Sequence, residues 1–462
     1  MALSNYVVWE IRSDTGASTN GGGFDPTVSV PGTDYTYPTS SPITYTDIVI
    51  GATTTTATSV IRPFVAADVG NTFNLTSGGS GTVGRYTAIS LSGTTMTFDR
   101  SLGTASTGIH GVLGGAFDTW NNWDTFWEAY YSSAGGGAVW VRATGTYTLS
   151  TATAFSSRPA TFAAPMLISG YTSTRGDNGQ ATITCGTPIT YGITLGAYYT
   201  CQNLYVNYST NINAFYVSSQ FTTCINCAAN CTSGSKTGSG FVMISIESAL
   251  FSCYAQGCIT GINLSYDLQF GINCYAENCT TGFSSTPGSN NVNTLQGCTA
   301  RNCVTGMNIK GTTLLNCTAY GNSGDGFYLT VNSTSSRDIM VNCLAVSNGG
   351  YGVNSSAIAS QIAILGLATY NNTSGAYLST LASYITNAIA LTSDPTVNGT
   401  GSPPNFTLKS SSGASGTGWG LSNGGAASPT SGYSTLKSFG SYNPAISGGV
   451  GIIDTSMSGG MS

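Results

Sequence analysis

A short motif recurs through the middle of the chain at a mean spacing of about 23 residues, and it limits the possible folds more than any other feature. Each copy has Ala two places after its first residue: Ala229, Ala255, Ala276, Ala300, Ala319, Ala345, Ala368 and Ala390. In six copies a Gly follows eight or nine places after the first residue, usually with a larger apolar residue behind it. Self-similarity at a fixed period is typical of a repeat architecture in which each copy packs on the next.

The pattern inside each copy predicts strands. Cys and Ala stand two places apart, for example Cys274 and Ala276, so both side chains face the same side of a strand. A coil of three short strands with their turns uses roughly 20–25 residues, which fits the period of a solenoid repeat. We therefore predict an all-β protein built on a parallel β-helix with coils of about 23 residues. Its coils would stack ~4.8 Å apart and align equivalent residues in columns.

The fifth place of the motif alternates between Cys and Asn. It reads Cys258, Cys279, Cys303, Asn322, Asn348 and Asn371. A buried thiol and an amide at one position indicate a turn in which stacked Asn side chains bond along the axis and satisfy backbone groups. The chain has 13 cysteines, and the spacing of Cys224, Cys227 and Cys231 could also suit zinc. The columns favour buried free thiols as small core residues, so no metal or cofactor is predicted.

Charged residues are scarce, at 7% of 462, against roughly 25% in ordinary soluble domains. Long surface helices need charged faces, so a helical bundle is excluded. No Lys/Arg cluster exists to replace phosphate counterions, which argues against nucleic-acid binding. No apolar run approaches the ~18 residues of a membrane span, and the start of the chain lacks the pattern of a signal peptide. We expect the chain to fold in the cytoplasm without inserting into a membrane.

Three regions are predicted around the repeat. Residues 1–117 contain short strands between Gly, Ser and Asp turns and form a small β domain. Residues 118–395 comprise the β-helix and a Trp-rich segment, 118–131, whose helical spacing predicts an amphipathic helix that covers the first coil. Asp118 or Thr119 can cap this helix. Residues 396–462 form a Gly/Ser-rich tail with too few apolar residues for a core of its own.

Several motifs resemble a known family. The segment from Gly135 to Tyr147 resembles the entry to right-handed parallel β-helices of the pectate-lyase-like superfamily. The Asn-Cys-x-Ala-x-x-Cys-x-x-Gly-Phe coils resemble those of bacteriophage and environmental-virus β-helix proteins. Val8–Arg12 with Gly21–Phe24, and the stretch from Asp68 to Leu102, are similar to N-terminal parts of such proteins. The resemblance spans about residues 1–400. It implies a tail spike or tail fibre of a virion, commonly a homotrimer, that attaches to other virion proteins through residues 1–117.

Enzymes on this fold cleave polysaccharides, but the sequence supplies few catalytic side chains. Hydrolysis needs two carboxylates roughly 5–10 Å apart. The candidates are Asp267, Glu277 and Asp325, and no two carboxylates share a column in neighbouring coils. Glu277 does share a column with Arg301, and we expect this pair to be exposed and structural. Tyr254, Tyr275 and Glu277 are the candidates for glycan contact, because they stand at outward-facing positions of the coils.

Three functions remain open from the sequence. The first is a tail spike or tail fibre of a bacteriophage that binds a host-surface polysaccharide through neutral Tyr, Asn, Ser and Thr side chains. The second is a glycan depolymerase, either a hydrolase or a lyase, on the same β-helix. The third is a capsid decoration protein. The scarcity of carboxylates weakens the enzyme hypothesis.

Overall fold

The chain folds into a parallel β-solenoid preceded by a small β-barrel, as a computed structural model shows. The structure describes residues 7–26, 32–123, 136–150, 160–186, 189–288, 292–330, 337–356 and 361–394, and the backbone of 396–398 and 405–408. The predicted all-β class and the β-helix are confirmed. Within these ranges, none of the helices combines the length and the apolar composition that crossing a lipid bilayer requires.

The solenoid has three parallel sheets, which we call sheets A, B and C in the order in which a coil visits them. Sheet A contains Val7–Ile11, Gly137–Arg142, Met166–Tyr171, Tyr199–Gln202, Thr223–Ile225, Ala249–Phe251, Phe270–Ile272, Asn293–Gln296 and Thr312–Leu315. Sheet B contains Thr146–Leu149, Ala181–Cys185, Leu204–Tyr208, Ala228–Cys231, Tyr254–Gln256, Tyr275–Glu277, Thr299–Arg301 and Thr318–Tyr320. The long strands Asp338–Val346, Ile362–Tyr370 and Ile385–Ala390 run through both sheets.

Sheet C has nine strands and forms the remaining wall. Its strands are Tyr191–Leu195, Asn213–Val217, Ser239–Met243, Thr260–Leu264, Thr281–Ser285, Thr305–Ile309, Phe327–Leu329, Tyr351–Ser355 and Gly375–Tyr377. The apolar residue after the recurring Gly stacks in one column here, as in the pairs Ile262 with Phe283 and Phe283 with Met307. The chain continues through a 3-10 helix, Ser379–Tyr384, and an antiparallel pair, Thr396–Asn398 with Asn405–Leu408.

The small β-barrel comprises six strands from residue 43 to residue 113. They are Ile43–Ile50, Thr56–Thr58, Thr72–Ser77, Gly84–Ser92, Thr95–Phe98 and Ser106–Leu113, with a 3-10 helix at Ala66–Asp68. The first strand of the chain, Val7–Ile11, lies outside this barrel. It pairs in parallel with Gly137–Arg142 of sheet A and antiparallel with Gly23–Phe24. The β region predicted over residues 1–117 therefore contributes its first strand to the solenoid.

The predicted cap helix begins where the sequence places it. Residues 120–123 are helical, and the backbone N–H of Asn122 donates to the hydroxyl of Thr119, 3.1 Å away, so Thr119 is the N-cap. Trp120 and Trp123 are fully buried in the solenoid core. The rest of the predicted helix, residues 124–131, lies outside the described residues, as does the greater part of the predicted tail, 396–462.

In many coils the first two corners turn on single residues with left-handed backbone conformation. At the first corner, between sheets A and B, they are Asn203, Asn226, Ser252, Asn273, Gly297, Asn316, Asn342 and Gly366. At the second corner, between sheets B and C, they are Gly257, Asn278, Asn302, Gly321, Ser347 and Asn371. Gly and Asn tolerate positive φ best, which explains why they recur here.

From Cys279 onward, the residue after the second corner caps the coil below. The thiol of Cys303 lies 3.9 Å from the carbonyl oxygen of Ala276, and the amide of Asn348 donates to the carbonyl of Ala319 at 3.2 Å. The thiol and the amide thus donate to equivalent backbone carbonyl groups in different coils. The predicted Asn ladder is confirmed from Asn322 through Asn348, with a side-chain bond of 2.8 Å. All 13 cysteines are buried and free, as the columns predicted.

One copy of the repeat is offset by one residue from the sequence alignment. Gly366, with a φ of 90°, occupies the first corner, so Leu367 pairs with Cys343 and Thr369 pairs with Ala345. The prediction that Ala368 lies in the Ala column is therefore wrong, and Ala368 pairs with Leu344 instead. The ladder consequently ends on Asn372, which accepts from Asn348 at 2.8 Å, and not on Asn371.

The Ala and Gly columns face each other across a narrow interior. A Cβ added to Gly282 would lie 2.8 Å from the Cβ of Ala300 and 2.5 Å from the carbonyl oxygen of Gly306. Such distances leave no room for a larger residue on either side. The recurrence of Ala and Gly in the sequence therefore has a steric cause.

A buried ion network joins the solenoid to the segment that leads into the barrel. The Arg175 guanidinium forms ion pairs with Glu10 of the first strand, at 2.7 Å, and with Asp34. The same guanidinium lies 4.7 Å from the ring centre of Tyr37. Because Glu10 is completely buried, losing Arg175 would leave an uncompensated charge inside the protein. The network therefore anchors the start of the chain.

We predict that Ala300→Leu destabilises the solenoid by about 1–3 kcal/mol, because the added atoms would clash with the Gly column. Val304→Leu is the matched control, since Val304 belongs to the same coil and is 45% exposed. Chemical denaturation followed by circular dichroism measures both. Equal losses in the two variants would contradict the steric explanation.

We also predict that Asn348→Cys is better tolerated than Asn348→Ala. The thiol can still donate to the carbonyl of Ala319, as thiols do in neighbouring coils, whereas Ala leaves buried groups unpaired at a cost of about 1–3 kcal/mol. Thermal unfolding of the two variants compares them directly. Identical melting temperatures would show that the donor at this corner is not needed.

Candidate functional site

The predicted glycan contacts lie together on the outer side of sheet B. The rings of Tyr254 and Tyr275 stack with centres 5.4 Å apart and planes 10° apart. The hydroxyl of Tyr254 donates to Gln256 at 2.8 Å and to Glu277 at 3.3 Å. Coil stacking explains this arrangement, because Tyr254 pairs with Tyr275 and Gln256 pairs with Glu277 in register.

The ion pair predicted beside them forms, but it is not exposed. Arg301 donates to Glu277 at 2.6 Å, and the two side chains are only 9% and 14% exposed. Tyr275 is 3% exposed, so the expectation of an open column is wrong there as well. Burial, followed by the nearby Glu277 carboxylate, raises the pKa of Tyr254 and Tyr275. The glycan role of Tyr254, Tyr275 and Glu277 stays a prediction.

The chain itself contributes to covering this surface. After Ile385–Ala390, Leu391 packs against a cluster that includes Tyr320, Leu344 and Val346. The hydroxyl of Tyr320 donates to Asp394 at 2.7 Å. Sequence reasoning missed this contact, although Tyr320 shares its column with Arg301. The repeat contains no indication of this contact, because it does not show that the chain folds back beyond its last coil.

The three catalytic candidates are not brought together. Asp267 follows Thr260–Leu264 of sheet C, whereas Asp325 precedes Phe327–Leu329, a strand three coils further along. Three coil steps amount to roughly 14 Å before the length of the strand is added, beyond the roughly 5–10 Å of a hydrolase acid pair. Glu277 lies on sheet B. Asp325 is also engaged, because it accepts from the backbone N–H of Tyr351 at 2.7 Å and the amide of Asn354 at 2.8 Å.

Glu10 and Asp34 form an acid pair that the sequence did not suggest. Both bind Arg175, and burial raises the pKa of Glu10 to about 7 despite the attraction of that guanidinium. A raised pKa suits a general acid. Glu10 is completely buried, however, so no substrate can reach its carboxyl group in this conformation. The pair is therefore structural.

A polar depression of about 360 Å³ lies beside the start of the cap helix. Ser13, Asp118, Thr119, Asn121, Thr146, Tyr147, Thr148 and Ser150 line it. The carboxylate here belongs to Asp118, which accepts from the amide of Asn122 at 2.7 Å. This depression lacks a second acid for hydrolysis among its lining residues. Within the described ranges, no group of three or more His, Cys, Asp and Glu side chains is arranged to hold a metal ion.

The third corner, which leads from sheet C into sheet A, carries an aromatic pair that the sequence did not reveal. The rings of Tyr198 and Phe221 stack with centres 5.0 Å apart and planes 22° apart. Phe221 is 42% exposed. The two residues are 23 positions apart in a region before the clear copies of the repeat, so only the register of the coils brings them together.

Buried polar residues line the inside of the same corner. In successive coils they are Thr222, Ser248, Gln269, Asn293, Thr312 and Asp338. The last of them, Asp338, accepts from the backbone N–H of Thr312 at 3.2 Å, while its other oxygen has no partner among the described residues. Burial raises the pKa of Asp338 to about 7.

Comparisons with known proteins give only distant similarities. No family model matches, and no curated protein is similar to the chain. Among solved structures, the A-module of the Azotobacter vinelandii mannuronan C-5 epimerase AlgE6 is 16% identical, covering 55% of this chain and 77% of that one, with a TM-score of 0.35. The catalytic domain of a GH87 α-1,3-glucanase in complex with tetrasaccharides is 10% identical, covering 76% and 90%, with a TM-score of 0.29. These similarities are too weak to assign an activity to this chain.

The buried Asp338 predicts a specific pH dependence of stability. In the unfolded chain this carboxyl ionises near 3.8, but in the folded protein it stays protonated until about pH 7. The contribution of Asp338 to the free energy of unfolding therefore falls as the pH rises from about 4 to about 7. Asp338→Asn removes this loss and should gain stability relative to the wild type over that interval, by at most about 4 kcal/mol.

Urea denaturation of both proteins at pH 4 and pH 8 measures this difference. Asp325→Asn is the contrasting variant, because the Asp325 carboxylate accepts two N–H bonds and its loss should destabilise the protein. A stability difference between Asp338→Asn and the wild type that is the same at both pH values would contradict the assignment of the buried proton to Asp338.

Proposed function

We propose that the chain is a virion protein of a bacteriophage, a tail spike or tail fibre, that attaches the particle to a host-surface glycan. The observation that carries the proposal is a long solenoid built from a sequence with very few charged residues. Only 31 of 462 residues are charged. Neutral hydroxyl, amide and aromatic groups suit contacts with sugars, which offer hydroxyl groups and apolar ring faces.

The distribution of carboxylates favours binding over cleavage. Glu277 is paired with Arg301, Asp325 accepts two hydrogen bonds, and Glu10 is buried. Asp177 accepts hydrogen bonds from the backbone N–H groups of Ser173 and Thr174. These acids stabilise turns and strands, which leaves them poorly suited to protonate a leaving group or activate water.

The barrel supports attachment to the particle. At one of its turns Val60 and Ile61 are 85% and 76% exposed. Their backbone N–H groups donate to the carboxylate of Asp47 at 2.7 and 2.8 Å, so this turn is held rigid while it presents two aliphatic side chains. A rigid apolar projection is suited to a pocket on another virion protein, since little conformational entropy is lost on binding. The proposed assembly is a homotrimer, as the family resemblance implies.

Binding and cleavage can be separated in one experiment. The purified full chain is incubated with surface polysaccharides extracted from candidate host bacteria, and both bound protein and newly formed chain ends are measured. We expect saturable binding and no new reducing or unsaturated ends. Release of such ends would establish the depolymerase alternative, and the absence of binding to every extract would reject glycan attachment.

The position on the particle is tested by imaging. Intact virions that carry the labelled chain should show a copy number that matches the symmetry of the tail. Hundreds of copies over the head would identify a capsid decoration protein. Virions without the label would overturn the proposal altogether.

A further inference from the structure

The third corner differs from the other two in the residues that form it. In four successive coils the corner residues are Tyr198, Phe221, Glu247 and Leu268, with φ angles of 60°, 56°, 54° and 55°. The backbone N–H of Phe221 donates to the carbonyl of Glu247 at 3.2 Å, which keeps the corner in register. The backbone therefore adopts the same left-handed conformation that the first and second corners adopt.

Bulky residues are unfavourable in this conformation. Asn, Ser or Gly adopts this conformation at the first and second corner positions named above, whereas Lys236 adopts it in the longer loop between Cys231 and Ser239. A non-Gly residue with positive φ is unfavourable, and a bulky side chain in this conformation is a genuine outlier. Folding alone would thus favour Asn or Gly at the third corner. The two aromatic residues there reduce stability, and such residues concentrate at functional sites.

The side chains at this corner form a surface suited to a sugar. The stacked rings of Tyr198 and Phe221 give a platform, and Phe221 is 42% exposed. Gln220 and Glu247, both exposed, stand beside it. An aromatic platform can contact the apolar face of a pyranose ring, while an amide and a carboxylate bind its hydroxyl groups.

The charge at the corner selects the class of glycan. Segments 196–200, 219–223, 244–249 and 265–269 contain two acidic residues, Glu247 and Asp267, and neither Lys nor Arg. A uronate-, sulfate- or phosphate-bearing polymer would meet a like charge, and these segments supply no cation to compensate it. We infer that the platform of Tyr198 and Phe221, with Glu247 and Gln220 beside it, binds a neutral glycan. The inference rests on the proposed function, because it names the glycan class and the contact surface of that attachment.

Phe221→Asn tests the inference, because Asn relieves the backbone strain and removes the platform. We expect the melting temperature of the full chain to stay the same or rise, while its affinity for a neutral glycan falls about tenfold or more, as expected for loss of an aromatic anchor. The probes are cello-, malto- and chito-oligosaccharides, with oligogalacturonate as the acidic comparison. Isothermal titration calorimetry measures affinity, and calorimetric unfolding measures stability.

Two further variants serve as controls. Phe221→Tyr keeps the ring and should keep the affinity. Ile259→Asn removes a 46% exposed apolar side chain near the second corner and should also leave affinity unchanged. Binding that survives in Phe221→Asn would overturn the inference but leave glycan attachment standing. Preference for oligogalacturonate would overturn the neutral class.

The remaining outcomes separate this inference from the proposed function. If no probe and no host polysaccharide binds the full chain, both fail. If light scattering finds an oligomer that Phe221→Asn dissociates, the corner is an interface between copies of the chain, and the inference is overturned while attachment at another surface is still possible. Retained affinity in Phe221→Asn together with a lowered melting temperature would show that the aromatic pair serves only packing.

Discussion

Stacking of the coils at ~4.8 Å is the constraint on which the rest of the structure depends. It places the same position of every coil in one column. Each residue therefore contacts the equivalent residue of the next coil, and the residue types in a column must be able to pack against each other. Ala faces Gly across an interior too narrow for a larger side chain, and Asn, Gly or Ser recurs at the first two corners. Repetition in the sequence is the consequence of repetition in space.

The same constraint explains the scarcity of charge. Equal charges in neighbouring coils would repel each other, since like charges directly opposite one another destabilise a sheet. Where charged residues do occur in sheet B, they alternate in sign, as Glu277 does with Arg301. Cys and Asn replace one another at the position after the second corner because each can donate to the carbonyl of the coil below. A protein built this way has few carboxylates left for catalysis, and its surface is suited to neutral ligands.

The three corners show where folding and function diverge. At the first and second corners the residue types agree with the backbone conformation, and local preference and global fold support each other. At the third corner Tyr198 and Phe221 oppose that preference while forming a stacked pair, in which Phe221 is exposed and Tyr198 is partly buried. The buried Asp338 lies at the inner side of the same corner, with its pKa raised by burial to about 7. Both features reduce stability, which makes this corner the part of the solenoid least explained by folding alone.

The sequence by itself determined the solenoid, its period, the buried thiols and the Asn ladder, because all of these follow from residues repeated at short range. It could not determine the offset at Gly366, since a glycine can be read either as the first residue of the motif or as the corner before it. It also predicted that Tyr275 and Arg301 are exposed, whereas both are buried in the structure. Turn lengths vary from coil to coil, so only the tertiary structure could bring Tyr198 onto Phe221 and separate Asp267 from Asp325. Columns that repeat a residue type are visible in a sequence, whereas contacts between unlike residues depend on the register that stacking imposes.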